Sequence, residues 1–271
     1  MIRALTLAAA LALGSGTAPA ATPVQAPHWG EGLFQFYQDR HFDALAALMV
    51  SEHFGRLAPH GEDAELLRGG LLLSWGLHAE AGALFERLLA GQPEPEVRDR
   101  AWYFLARVRH ARGLDDQAQA ALDRVGQALP ASLAAERALL AAQVALGRGA
   151  PDAAAAALQS LAAQPWEPGT AGGWWSRLRA RLGLSAQAPD PTLQPLDDAP
   201  LYARYNLGVA LVRAGRGEEG RRWLDALGQL PAATESQRAL RDQANLALGY
   251  AALQDDQAET ARTALQRVRL Q

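Results

Sequence analysis

The chain has 271 residues, a formal net charge of -3 from 26 basic and 29 acidic groups, and 49% hydrophobic residues, which is enough apolar material for a core and excludes wholesale disorder. It contains no cysteine and no lysine, so disulfides, thiolate nucleophiles, cysteine-held metals, a P-loop phosphate site and Schiff-base chemistry are all excluded. The slight acidity provides no global attraction for nucleic acid or an anionic membrane.

The first element is an address. Met1 to Arg3 is a short positive start, Ala4 to Leu13 is apolar, and Ala18-Pro19-Ala20 places small residues at the spacing a signal peptidase reads. Residues 1–20 are expected to be a cleaved secretory signal, since the apolar run is shorter than the roughly 20 residues that span a bilayer. Cleavage removes Arg3 and leaves 25 basic and 29 acidic groups, a net charge of -4. No cysteine stands at the cleavage site to accept a lipid anchor. A soluble exported protein is expected, periplasmic in a Gram-negative host.

From about Trp29 the chain is rich in Ala, Leu, Arg, Glu and Gln and poor in β-branched runs, which predicts an all-α fold. Short helical segments alternate with breaks at Asp39-Arg40-His41, Trp75-Gly76, Arg112-Gly113-Leu114-Asp115, Leu146-Gly147, Ala214-Gly215 and Gln229-Leu230-Pro231, the punctuation of helical hairpins. Three regions follow: an N-terminal array over 29–164, a connection over 165–200 with a degenerate helix from Trp174 to Leu182 and a proline-rich stretch from Pro189 to Pro200, and C-terminal repeats over 201–271.

A small residue recurs just inside the second helix of each predicted hairpin: Ala44, Ala81, Ala118, Ala154, Gly220 and Ala261, with gaps of 37, 37, 36, 66 and 41. A period of this size marks a solenoid of helix pairs, each stable only when stacked on its neighbours. Trp102, Leu105-Ala106, Gly113, Ala118, Leu122 and Val125 form one instance of the pattern. Tyr205, Leu207-Gly208, Gly215, Gly220, Leu224, Leu227 and Pro231 form another. Gly69, Gly76, Ala81, Phe85, Leu88 and Pro93 form a third, and Leu248-Gly249, Ala261, Leu265 and Val268 a fourth.

These residues resemble the tetratricopeptide repeat family. The resemblance implies an α-solenoid, a right-handed superhelix of about five to six repeats with an irregular insertion. The runs Tyr205-Asn206-Leu207-Gly208 and Asn245 to Tyr250, with Arg267 to Leu270, are similar to a group of exported bacterial repeat proteins of unassigned function, whose members continue beyond this point.

Catalytic patterns are sparse. There is no Gly-x-Ser-x-Gly elbow, no His-Glu-x-x-His and no Gly-rich phosphate loop. All six histidines lie within the first 110 residues without metal-ligand spacing, so neither metal nor cofactor is expected. The carboxylate pairs Asp115-Asp116, Asp197-Asp198 and Asp255-Asp256 fall at turns and are read as helix caps.

The resemblance implies a ligand-binding concave face formed by the first helix of each repeat. Carried to this sequence, its contact positions are Arg100, Tyr103, Arg107 and His110, then Tyr202, Tyr205, Asn206 and Arg213, then Gln243 and Tyr250. Aromatic and Arg side chains suit a protein or extended-peptide partner. The expected function is a non-catalytic exported scaffold for protein–protein interaction in the bacterial envelope. The alternative is an accessory module for an anionic glycan or exopolysaccharide, using Trp174, Trp175, Arg177, Arg179 and Arg181. Export argues against nucleic acid as the partner of such Arg-aromatic clusters.

Overall fold

The computed structural model describes residues 26–166, 198–232 and 234–268. Among them are twelve α-helices and no strand: α1 (Pro27–Tyr37), α2 (His41–His53), α3 (Gly61–Ser74), α4 (His78–Ala90), α5 (Pro95–Ala111), α6 (Asp115–Leu122), α7 (Ala134–Gly147), α8 (Pro151–Ala162), α9 (Ala199–Arg213), α10 (Gly217–Gly228), α11 (Glu235–Gln254) and α12 (Ala258–Gln266). The all-α expectation holds, and the architecture is repeat-like. Every helix packs on its neighbours in the chain. The odd-numbered first helices also pack on one another, α3 on α5, α5 on α7, α7 on α9 and α9 on α11. The even-numbered second helices form no comparable row among the described residues.

One turn closes all six hairpins. A residue with positive φ follows each first helix: Asp39, Gly76, Gly113, Gly149, Gly215 and Asp256. The N–H of the next residue reaches back five positions, as Leu114 donates to the Arg109 carbonyl and Ala150 to Ala145, at 2.8 to 3.0 Å across the six. This pattern satisfies the last carbonyls of the first helix. The Asp39-Arg40-His41 break is therefore the same turn without glycine. The predicted break at Leu146-Gly147 shifts, because α7 runs to Gly147 and the left-handed residue is Gly149.

Ala44, Ala81, Ala118, Ala154, Gly220 and Ala261 each sit five residues after that turn residue, fourth in their helices, and all are buried. There the second helix crosses its hairpin partner, and only a small side chain permits the approach. At α10 the approach leaves no room even for a methyl group, since a Cβ on Gly220 would lie 2.6 Å from the Gly208 carbonyl oxygen. Four residues further on, a large side chain fills the opposing notch: Leu48 lies against Gly32, Phe85 against Gly69, Leu224 against Gly208 and Leu265 against Gly249.

Of the aspartates expected to cap helices, none of the described ones does so. Asp115 and Asp116 fall inside the first turn of α6, after its N-cap Leu114, where a carboxylate meets the positive helix end without bonding a free N–H. Their oxygens turn elsewhere, Asp115 to His110 at 2.6 Å and Asp116 to Arg148 at 2.8 Å. Asp255 pairs with Arg221, and Asp256 occupies a turn. Asp198 precedes α9 without a side-chain cap bond, and Asp197 lies outside the described residues. The capping box found is at α11, where Thr234 Oγ1 accepts from the Gln237 N–H and Gln237 Oε1 accepts from the Thr234 N–H.

The array continues across 167–197. Helix α8 packs on α9, and Leu139, Leu158, Ala203 and Leu207 belong to one buried cluster. The Arg204 guanidinium donates to the carbonyls of Ala162 and Gln164 at 3.1 and 2.8 Å. The region read as a degenerate helix from Trp174 to Leu182 lies outside the described residues. No helix among the described residues is long and apolar enough to cross a membrane.

Candidate functional site: a groove along the first helices

The row of first helices bears a groove of about 520 Å3. Leu67, Gly70 and Leu73 of α3, Phe104, Arg107 and His110 of α5, and Leu140 and Gln143 of α7 form its length, with Phe36 and His41 at one end. Among the described residues, no carboxylate lines it. The Arg107 guanidinium is exposed and lies 5.9 Å from the centroids of both the Tyr103 and Phe104 rings. Among the described residues no carboxylate lies within ion-pair distance of Arg107. His110 Nδ1 contacts Asp115, which fixes that ring against the start of α6.

A smaller groove of about 210 Å3 lies between α9 and α11, lined by Val209, Val212, Arg213, Ala247, Tyr250 and Gln254. Its residues repeat the register of the first: Gly70, Arg107, Gln143, Val209 and Tyr250 stand at one position of successive first helices, and Leu73, His110, Leu146, Val212 and Leu253 at the next turn. The two grooves therefore use the same helix face.

The residues expected to contact a ligand divide accordingly. Arg107, His110, Arg213 and Tyr250 line grooves, and Gln243 is exposed on α11. Arg100 and Tyr103 do not belong with them. They are 5% and 1% exposed, because the preceding and following hairpins cover this side of α5. The Tyr103 hydroxyl donates to Glu136 of α7 at 2.9 Å, and Arg100 approaches Asp63 of α3 at 3.8 Å, so both tie hairpins together. Burial raises the Tyr103 phenol pKa well above its ordinary value, with Glu136 adding to the rise and Arg107 opposing it. Tyr202 and Tyr205 are half-buried against the core between α9, α10 and α11. Asn206 donates its amide to the Tyr202 carbonyl at 2.9 Å. Trp174, Trp175, Arg177, Arg179 and Arg181 lie outside the described residues.

Sequence reasoning missed Phe36, His41, Leu73, His78, Phe104 and Gln143. The signal was present in the 37-residue register, which sets His41 and His78 at the first position of successive second helices and Phe36, Leu73 and His110 at one position of successive first helices.

A second depression, of about 720 Å3, has the opposite character: Glu52, Glu62, Glu65 and Glu94 line it with Arg87. Burial raises the Glu65 pKa, opposed by Arg87 and reinforced by Glu62. No group of three or more His, Asp or Glu side chains among the described residues is arranged to hold a metal ion. Fold and grooves together define a repeat-like helical protein with two grooves on the same face of its first helices. No family model matches the chain, and no curated protein matches it.

Proposed function

We propose that this chain is an exported, non-catalytic scaffold of the tetratricopeptide type, a right-handed superhelix whose first helices hold an extended segment of a protein partner in the bacterial envelope. The observation that carries the reading is the groove running across α1, α3, α5 and α7, with an apolar floor and Arg107 exposed above it. An extended chain fits such a channel because successive hairpins offer the same positions at a regular spacing, so one partner engages several repeats at once. The regular turn and the small-to-large contacts between paired helices agree with that repeat type. Export is inferred from Met1 to Arg3, Ala4 to Leu13 and Ala18-Pro19-Ala20.

The test is crosslinking of the mature chain in its native envelope, followed by mass spectrometry. The control is the Arg107→Glu, Gln143→Glu double variant, whose changes fall on exposed side chains. A discrete protein recovered with the wild type and reduced at least about tenfold with the variant is the expected result. Equal recovery with both chains overturns the reading.

A further inference from the structure

Helix α2 has two apolar faces. Ala44, Leu45 and Leu48 are buried in the first core cluster. On the other side of the helix, Phe42, Ala46, Met49 and Val50 form a stripe one and two turns long that faces outward, with Phe42 73%, Met49 51% and Val50 55% exposed. The other five hairpins provide an internal control. Where α2 has Phe42, the later second helices have Ala79, Asp116, Asp152, Glu218 and Glu259. Where it has Met49, they have Glu86, Asp123, Gln159, Asp225 and Gln266. The same outward position is thus almost uniformly polar in five hairpins and apolar in the first. The hairpin contact does not explain the change, since Ala44 and Leu48 keep the small and large residues found at Ala81 and Phe85, Ala118 and Leu122, Ala154 and Leu158, Gly220 and Leu224, and Ala261 and Leu265.

We infer that the outer face of α2 is a two-fold interface with a second copy of this chain. Three features select that occupant. The first is charge: no charged residue stands at positions 42, 46, 49 or 50, and those at the margins are already engaged. Asp43 pairs with Arg40 at 2.6 Å, Glu52 pairs with Arg68, and Arg56 lies over the Phe54 ring at 4.8 Å. A neutral apolar surface is matched by another of its kind, whereas an anionic headgroup layer is met by a basic one. The second is shape. Ala46 and Met49 are one turn apart, so an antiparallel pairing with its axis between them lays each Met49 over the Ala46 of the other copy and brings Phe42 to His53. Small against large is the condition for two helices to approach to about 8 to 10 Å, and reciprocal contact is the mark of an isologous interface. The third is area. Phe42 continues into Trp75 across 6.5 Å, and with Met49, Val50 and Phe54 the exposed apolar surface reaches roughly 500 Å2. That stands at the upper end for a monomer's largest patch, and with its polar rim it approaches the roughly 800 Å2 per partner of a standard interface.

The test is sedimentation velocity of the purified chain between about 1 and 100 µM, comparing the wild type with Met49→Arg, Phe42→Asp and, as a control, Gln159→Arg at the equivalent position of α8. The wild type and the control should dimerise, and both α2 variants should weaken the dimer at least about a hundredfold, because each sets a charge into an apolar contact. All four should melt together, since the substituted positions are exposed. The cysteine-free background gives a second readout: mixing Ala46→Cys with Met49→Cys under oxidation should yield the mixed disulfide. A wild type that stays monomeric across this range, or a dimer unmoved by both α2 variants, overturns the inference, whether the face then proves to bind residues 1–25, a lipid surface or another protein. Partner capture through Arg107 is unaffected by either outcome, so the two readings fail separately.

Discussion

Asp198 Oδ1 accepts a hydrogen bond from the Trp166 indole N–H at 3.2 Å, which joins the two sides of the interval 167–197. The same oxygen accepts from the Gln237 side chain at 3.0 Å, so α11 is drawn to that junction as well. The 66-residue gap between Ala154 and Gly220 is therefore a hairpin period with an insertion, and it leaves the packing of α8 on α9 intact. Asp198→Ala should cost about 1–3 kcal/mol, because two donors lose their acceptor. Calorimetry of the variant against the parent checks this, and an unchanged melting temperature would show that these two bonds do not stabilise the junction.

Adjacent glycines on α3 should respond in opposite senses. A Cβ on Gly69 would overlap the Phe85 ring, whereas one on Gly70 would meet nothing within 4 Å. Gly69→Ala should therefore destabilise by about 1–3 kcal/mol through overpacking. Gly70→Ala should stabilise by up to about 1 kcal/mol, by removing backbone freedom from the unfolded chain. Urea unfolding of the pair decides the matter, and a loss of stability at Gly70 would contradict the open space beside it.

The turn aspartates hold a conformation that glycine adopts more easily. Asp39 has φ 58° and Asp256 φ 55°, where four sister turns have glycine. Asp39→Gly and Asp256→Gly should each add about 0.5–1 kcal/mol, since an L-side chain is strained in the left-handed region. The reverse change, Gly113→Ala, should cost about 1 kcal/mol. Denaturant midpoints for the three variants test the equivalence of the six turns.

How much was legible in the sequence follows from which contacts repeat. Ala44, Ala81, Ala118, Ala154, Gly220 and Ala261 were visible because one steric demand recurs once per hairpin. The Asp39 turn was harder to see, since aspartate there performs a glycine's task. The split of the candidate site was not legible. Tyr103 and Arg107 are one turn apart on α5, and the packing of α7 over the former decides that one is buried and the other exposed. Aspartate near a helix start is ambiguous for the same reason: Asp115 answers to His110, a partner that capping preferences do not anticipate.

Tyr103 should make the fold sensitive to alkali. Burial first, and then the Glu136 carboxylate, raise its phenol above the ordinary value of 10.0, against the pull of Arg107. The unfolded chain therefore releases this proton at a lower pH than the folded one. The contribution is present in full below about pH 10 and is lost as the pH rises toward the folded value. Tyr103→Phe removes the hydrogen bond to Glu136 and should cost about 1–2 kcal/mol at neutral pH. It should also make the decline in stability between about pH 10 and 12 shallower than in the parent. Urea midpoints measured for both chains from neutral to alkaline pH provide the comparison, and parallel decline would show that the buried Tyr103 phenol does not carry the effect.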